Sequence, residues 1–229
     1  MRRVGSGLDP LPRRPFSICG RVGGDGFALL YRVVGRGTAL LAEQRVGERL
    51  QLLGPLGNGF PPEPSAPLIL AGGGVGVAPL LFVAQELLAR EERGFAFLAG
   101  FPHREEVLLP REVLQLDLEP EIATDDGTLG HAGPVTDLLA SHLAGGTGRG
   151  GTVFACGPPA MLGRVAELAR EADVSCRVSL EAAMACGLGA CLGCTVPAAS
   201  REPGPYLRVC TEGPVVPAEA VDWCRAGGR

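Results

Sequence analysis

The sequence predicts an α+β chain of several domains: a small antiparallel β-barrel or sheet, an α/β unit on a mainly parallel sheet, and a compact cysteine-rich C-terminal region. Three observations carry this. Up to about Pro62 the chain holds short β-like runs broken by Gly and Pro. From Ala66 apolar strand-like and helix-like segments alternate, the rhythm of βαβ units. Near the C-terminus, "MACGLGACLGCTV" (Met184 to Val196) places three cysteines in nine residues padded with Gly, Ala and Leu.

In chain order, "FALLYRVVG" (Phe27 to Gly35) and "RLQLLGPLG" (Arg49 to Gly57) are the β-like runs of the first part, and neither shows a long helical period. The proline-rich "GFPPEPSAP" (Gly59 to Pro67) reads as a linker. Next come "LILAG" as a buried strand, "VAPLLFVAQELLAREE" as a helix, "GFAFLAGFP" as a strand, and a charged segment with short apolar stretches. "TVFACGPP" and "AMLGRVAELAREAD" then repeat the strand-turn-helix unit. After about Ala172 follow one strand-like run, "SCRVSLE", the cysteine loop, and a tail with few regular elements. The expected boundaries are 1–62, 63–174 and 175–229.

The 229 residues are 46% hydrophobic, enough to bury cores in two modest domains or one large one. Glycine (35) and proline (20) are abundant but show no repeat, so they punctuate loops rather than build a fibre. A formal charge of −4, with no basic block or acidic tail, argues against nucleic acid or an anionic membrane as the main partner. The uncharged stretch Ala66 to Ala84 matches a bilayer span in length, but Gly72, Gly73, Gly74, Gly76 and Pro79 interrupt it, so strand, loop and buried helix are expected. The opening "MRRVGSGLDPLPRRPFS" has no apolar core of a signal peptide, which points to the reducing cytoplasm despite eight cysteines.

Two Gly-containing turns can approach a ligand. In "LILAGGGVGVAPLL", Gly72, Gly73, Gly74 and Gly76 lie between a strand and a helix, where backbone N–H groups can cradle a phosphate, although the G-x-G-x-x-G spacing is not met. Close packing of helix on strand is the competing explanation. In "VFACGPPAMLGRV", Cys156, Gly157 and Pro158 cap a second strand, at the sheet end where α/β folds bind ligands; taken alone, Cys156 reads as a small buried hydrophobe.

The cysteines are more specific. The order Cys186-x4-Cys191-x2-Cys194, followed by Cys210 after fifteen intervening residues, is the plant-type ferredoxin spacing for a 2Fe-2S cluster on four thiolates. Structural zinc and ordinary disulfides are the alternatives, zinc being disfavoured because only one C-x2-C pair is present. Cys19, Cys156, Cys176 and Cys224 are expected to pack rather than ligate. His103, His131 and His142 sit in unrelated contexts, and "TDDG" (Thr124 to Gly127) reads as a turn, with ribose binding as the lesser option.

Together, "RPFSI", "LLYRVVGRGT", "GPLGNGF", "GGGVGVAPL", "ACGPPAML" and the cysteine loop followed by "RVCTEGPVV" resemble the electron-transfer subunits of two-component, NAD-dependent dihydroorotate dehydrogenases, within the ferredoxin reductase superfamily. The resemblance covers nearly the whole chain. It implies FAD on Arg14, Pro15, Phe16, Ser17, Leu30, Tyr31, Arg32, Gly37 and Thr38, with Arg14 facing pyrophosphate and Ser17 the reactive flavin edge. It implies NAD at the two strand-turn-helix loops and the 2Fe-2S cluster on Cys186, Cys191, Cys194 and Cys210. In such proteins several strands precede R-P-x-S, whereas thirteen residues precede Arg14, so a partial barrel with a weakened hold on FAD is expected.

The activity so implied is a relay in pyrimidine (UMP) biosynthesis. Electrons from the FMN of a dihydroorotate dehydrogenase catalytic subunit cross the cluster and FAD to NAD+, in a heterotetramer of two subunits of each kind. Two other readings use the same parts: an NAD(P)H reductase subunit of a soluble hydrogenase or ferredoxin oxidoreductase, and a non-catalytic metal-binding interaction module.

Overall fold

The computed structural model describes residues 2–3, 13–62, 67–110, 116–145, 150–200 and 204–227. In the first part, β1 (Arg2–Arg3) pairs antiparallel with β4 (Leu50–Gln51), and β2 (Gly20–Val22) with β3 (Gly26–Ala28). The two expected β runs are therefore much shorter than their sequences suggest. Val33, Val34, Leu52 and Leu53 are exposed, and a run of apolar residues stays in strand only where a neighbouring strand satisfies its backbone. Between the ribbons lies a helix that no periodicity announces, α1 (Arg36–Ala42). The Thr38 hydroxyl caps it, accepting from the N–H groups of Val34 (3.0 Å) and Gly35 (3.2 Å).

The α/β part matches its expected rhythm. It runs β5 (Leu68–Gly73), a 3-10 turn (Gly74–Gly76), α2 (Val77–Ala89), β6 (Phe95–Phe101), β7 (Glu121–Thr124), β8 (His131–Ala132), α3 (Val135–Ala144), β9 (Thr152–Cys156), α4 (Pro159–Glu171) and β10 (Ser175–Ser179). Pro159 suits its place in the first turn of α4, where an N–H would go unpaired in any case. Residues 63–66 of the expected linker lie outside the described residues. No helix among the described residues is long and apolar enough to cross a membrane.

The tail is more regular than its sequence suggested. It carries β11 (Thr195–Pro197), β12 (Tyr206–Arg208), β13 (Val215–Pro217) and the four-residue helix α5 (Trp223–Ala226). β13 joins the main sheet, whose order is β13-β10-β9-β5-β6-β7-β8, with only the β10–β13 pair antiparallel. The last 55 residues thus lend two strands to the sheet, β10 and β13, and Cys194, Val209, Val221 and Trp223 pack against the core on one of its faces.

Alternation along the strands builds two cores. Leu68, Leu70, Phe154 and Cys156 face α2, while Ile69, Ala71, Val153 and Ala155 face the side covered by α3 and α4. Full burial of a side chain such as Phe154 or Ile69 contributes about 1.5–3 kcal/mol. The first part packs on the α2 side through Cys19, Ala28, Leu30 and Phe60; Cys194, Val209 and Cys210 belong to the opposite core.

Candidate functional site

From β5 the chain proceeds outward through β6, β7 and β8 on one side, then returns to lay β9 and β10 on the other. The order reverses between β5 and β9, and open α/β sheets bind ligands outside the carboxyl ends of the strands at such a point. Gly72 is paired in register with Cys156, so the two expected nucleotide loops emerge side by side there.

The contact between these loops accounts for most of their glycines. A Cβ on Gly76 would lie 2.3 Å from the Cys156 carbonyl oxygen, and one on Gly73 or Gly157 would lie 2.5 or 2.7 Å from Met161 Sδ. A Cβ on Gly72 would meet Val77 Cγ1 at 2.8 Å. Gly74 differs: it adopts φ +55° and has open space where a Cβ would be. Cys156 is buried, and burial, followed by the Glu181 carboxylate, pushes its thiol up to about 12, so it stays a neutral thiol. Glu181 is solvent-accessible as a residue, yet its carboxyl is desolvated enough to sit above the usual range.

The residues expected around flavin come together in pairs. The Arg14 side chain lies across Gly37, where a Cβ would be 2.7 Å from Arg14 Nε. The Phe16 and Tyr31 rings are 5.5 Å apart and tilted by 59°. Leu30 packs on the α2 core, Thr38 caps α1, and Pro15 and Ser17 are exposed. Arg32 forms an ion pair with Glu106, in the turn after β6 and 74 residues away in the chain.

The cysteine loop gathers its thiols as two pairs. β11 and β12 form an antiparallel ribbon with Thr195 opposite Arg208, and the Val209 N–H donates to the Cys194 carbonyl (3.1 Å). Cys194 and Cys210, flanking the ribbon, are both buried, and burial, followed by the neighbouring Cys194 thiol, pushes the Cys210 thiol above its ordinary range. At the other end the Cys186 thiol is held down to about 6 by the Leu188 N–H, then by the Cys191 N–H and thiol. Cys191 is the most exposed of the four. Positive φ at Gly187 (+72°), Gly189 (+81°) and Leu192 (+57°) curls the loop, so that Leu188 N–H points at Cys186 Sγ (3.4 Å) and Gly189 N–H at Cys210 Sγ (3.2 Å).

No group of three or more His, Cys, Asp or Glu side chains able to hold a metal is gathered among the described residues; what fits a two-iron cluster is the chemistry of the four thiols, with N–H groups turned toward two of them, since such a cluster takes two thiolates per iron and is tuned by N–H groups on its sulfurs. All eight cysteines are free thiols. Burial holds Cys19 at about 11 and Cys176 at about 12, as expected of packing residues. Cys224 is the exception to that expectation, since the four-residue α5 leaves it exposed.

The three histidines each meet a surface carboxylate that lay beyond sequence reach: His103 with Glu105 (2.8 Å), His131 with Asp137 (3.4 Å) and His142 with Glu121 (2.7 Å). Asp126 of "TDDG" accepts from the Thr128 hydroxyl (2.7 Å) and N–H (3.0 Å), bonds that lower its carboxyl and make the segment the expected turn.

Comparison with known proteins places the chain in a family. The model of the iron-sulfur cluster binding domain of dihydroorotate dehydrogenase B matches residues 181–222. The dihydroorotate dehydrogenase B (NAD(+)) electron transfer subunit of Desulforamulus reducens is 41% identical over 224 residues, covering 96% of this chain and 84% of that protein. The subunit of the same name from Bacillus caldolyticus is 39% identical, covering 96% and 83%. Among solved structures, an NADH-dependent reduced ferredoxin-NADP oxidoreductase superposes with a TM-score of 0.74 at 29% identity, covering 94% of this chain and 76% of its own. The Amycolatopsis cytochrome P450 reductase GcoB gives 0.57 at 26%, covering 75% and 55%. Identity at this level over most of its relatives' length, together with the match at the cysteine loop, makes the chain a member of the dihydroorotate dehydrogenase B electron transfer subunit family.

Proposed function

We propose that this chain is the electron-transfer subunit that carries electrons from the FMN of a dihydroorotate dehydrogenase catalytic subunit to NAD+, in the synthesis of UMP. The observation that carries the reading is the ferredoxin-type spacing of Cys186, Cys191, Cys194 and Cys210 in a loop whose Leu188 and Gly189 N–H groups are turned toward Cys186 Sγ (3.4 Å) and Cys210 Sγ (3.2 Å). The 2Fe-2S cluster supplies single-electron transfer, and FAD converts it into the hydride that nicotinamide accepts.

The residues divide that work. Cys186, Cys191, Cys194 and Cys210 hold the cluster. Arg14, placed against Gly37, meets the FAD pyrophosphate, while Pro15, Phe16, Ser17, Leu30, Tyr31, Arg32 and Thr38 form the rest of the flavin site. Gly72, Gly73, Gly74 and Gly76, with Cys156, Gly157 and Pro158, form the NAD crevice at the switch point, where the open side at Gly74 admits phosphate closest to the backbone. In domain terms, 1–62 binds flavin, 63–174 binds NAD and 175–229 binds the cluster, the last region also completing the sheet. The working assembly is two subunits of each kind in the cytoplasm, where a reducing environment keeps thiols available to iron.

The test is to purify the chain anaerobically and record visible spectra before and after NADH, with iron, sulfide and flavin assayed on the same sample. Flavin and cluster bands that bleach with NADH are expected. Dihydroorotate-dependent NAD+ reduction should appear only when the FMN-containing subunit is added. Orotate production by this chain alone would overturn the proposal.

A further inference from the structure

The stretch "GPLGNGF" (Gly54 to Phe60) has no part in the cofactor sites described above, yet it touches the cluster loop at both ends. Asn58 donates its side-chain amide to the carbonyls of Thr211 (3.3 Å) and Glu212 (3.2 Å). Its backbone N–H donates to the Gly213 carbonyl (2.6 Å), and its own carbonyl accepts from the Val215 N–H (3.2 Å). Thr211 directly follows the ligand Cys210. Two residues before Asn58, the Leu56 side chain lies at Gly187, where a Cβ would come within 3.3 Å of Leu56 Cδ1, and Gly187 directly follows the ligand Cys186.

The approach is close enough to exclude side chains: a Cβ on Gly57 would lie 2.6 Å from the Gly213 carbonyl oxygen. On its far side the same stretch is anchored to the sheet. The Phe60 ring stacks on Phe154 of β9 with centroids 4.7 Å apart and planes 22° from parallel, two residues before Cys156 at the nucleotide crevice. One seven-residue strap thus connects the first ligand, the last ligand and the switch point of the sheet.

We propose that this strap positions the cluster loop, with Asn58 as its positioning residue, and so sets how firmly the cluster is held and how it faces the flavin and nucleotide parts. Asparagine is suited to the task because its amide supplies two donors to two carbonyls; aspartate has none to give. The proposal rests on Cys186, Cys191, Cys194 and Cys210 being the cluster ligands.

The test compares Asn58→Ala, Asn58→Asp and Asn58→Gln in the cluster-loaded chain bound to its catalytic subunit. Three quantities are read: iron release to a chelator, the electron paramagnetic resonance spectrum of the reduced cluster, and flavin reduction by NADH in stopped flow. Asn58→Ala should release iron about tenfold faster, the low end of what losing an outer-shell partner costs a metal site, with a shifted cluster spectrum and unchanged flavin reduction. Asn58→Asp should be worse, by turning a carboxylate toward two carbonyls, and Asn58→Gln should recover part of the loss.

Wild-type iron release and an unaltered spectrum in both Asn58→Ala and Asn58→Asp would overturn the proposal, even if both melt earlier. Failure of the underlying reading shows separately: Cys191→Ser would then leave iron content and the spectrum of the otherwise unchanged chain intact.

Discussion

Gly74 and Gly76 stand two positions apart and owe their identity to different causes. Gly76 is held against the Cys156 carbonyl, with 2.3 Å where a Cβ would sit, whereas Gly74 has room but takes φ +55°. Gly76→Ala must push one sheet-end loop off the other and is expected to cost roughly 3 kcal/mol, the upper part of the overpacking range. Gly74→Ala only places a Cβ in a left-handed backbone, at about 1 kcal/mol. Denaturant unfolding of the two variants checks the order, and equal losses would contradict it. The glycine run itself was legible in the sequence. Which glycine answers to packing and which to backbone conformation was not, because that depends on a strand eighty residues away in the chain.

At the scale of elements, segments with a partner fixed by local pattern were read correctly and those awaiting a distant partner were not. β5, α2, β6, β9 and α4 follow from short apolar runs taking turns with helix-length segments, since each buries its own apolar set. The β2–β3 ribbon is too short to stand alone and borrows a partner from α2. Arg21 N–H donates to Gln85 Oε1 (2.6 Å), Gln85 Nε2 returns a bond to the Arg21 carbonyl (3.0 Å), and Arg21 pairs with Glu86 (3.2 Å). The glutamine amide thereby occupies the edge of β2 as a neighbouring strand would. Gln85→Ala is expected to loosen the ribbon by about 1–2 kcal/mol, because it removes both bonds from one backbone unit. Hydrogen exchange should then quicken across 19–28 while α2 keeps its protection; unchanged exchange there would remove Gln85 from this role.

For the whole molecule, the cysteine loop presents Cys191, the most exposed of the four candidate ligands, in a segment with exposed leucines: Leu188 (60% accessible), Leu192 (58%) and, at Gly187, Leu56 (45%). An apolar rim around a ligand suits a face that another subunit covers, with the short electron path through it. Leu188→Glu should weaken assembly with the catalytic subunit by roughly tenfold, as expected when an interface side chain worth 1–2 kcal/mol is replaced by a charge. Flavin reduction by NADH within this chain should be unaffected. Sedimentation or titration calorimetry measures the first quantity and stopped flow the second; undiminished assembly would place the docking face elsewhere.

By itself the sequence determined the α/β rhythm, the ferredoxin-type spacing of Cys186, Cys191, Cys194 and Cys210, and the two Gly-containing turns at the strand ends. In each case the information is local: a hydrophobic period, or residue types at a fixed spacing. The tertiary structure alone decided that β13 returns to edge the sheet, that Arg32 faces Glu106, and that Asn58 grips the segment after Cys210. Each joins residues 36 to 154 positions apart through a few hydrogen bonds or a single strand pairing. No periodicity marks such contacts; they exist only once the cores on the two faces of the sheet have fixed which surfaces meet.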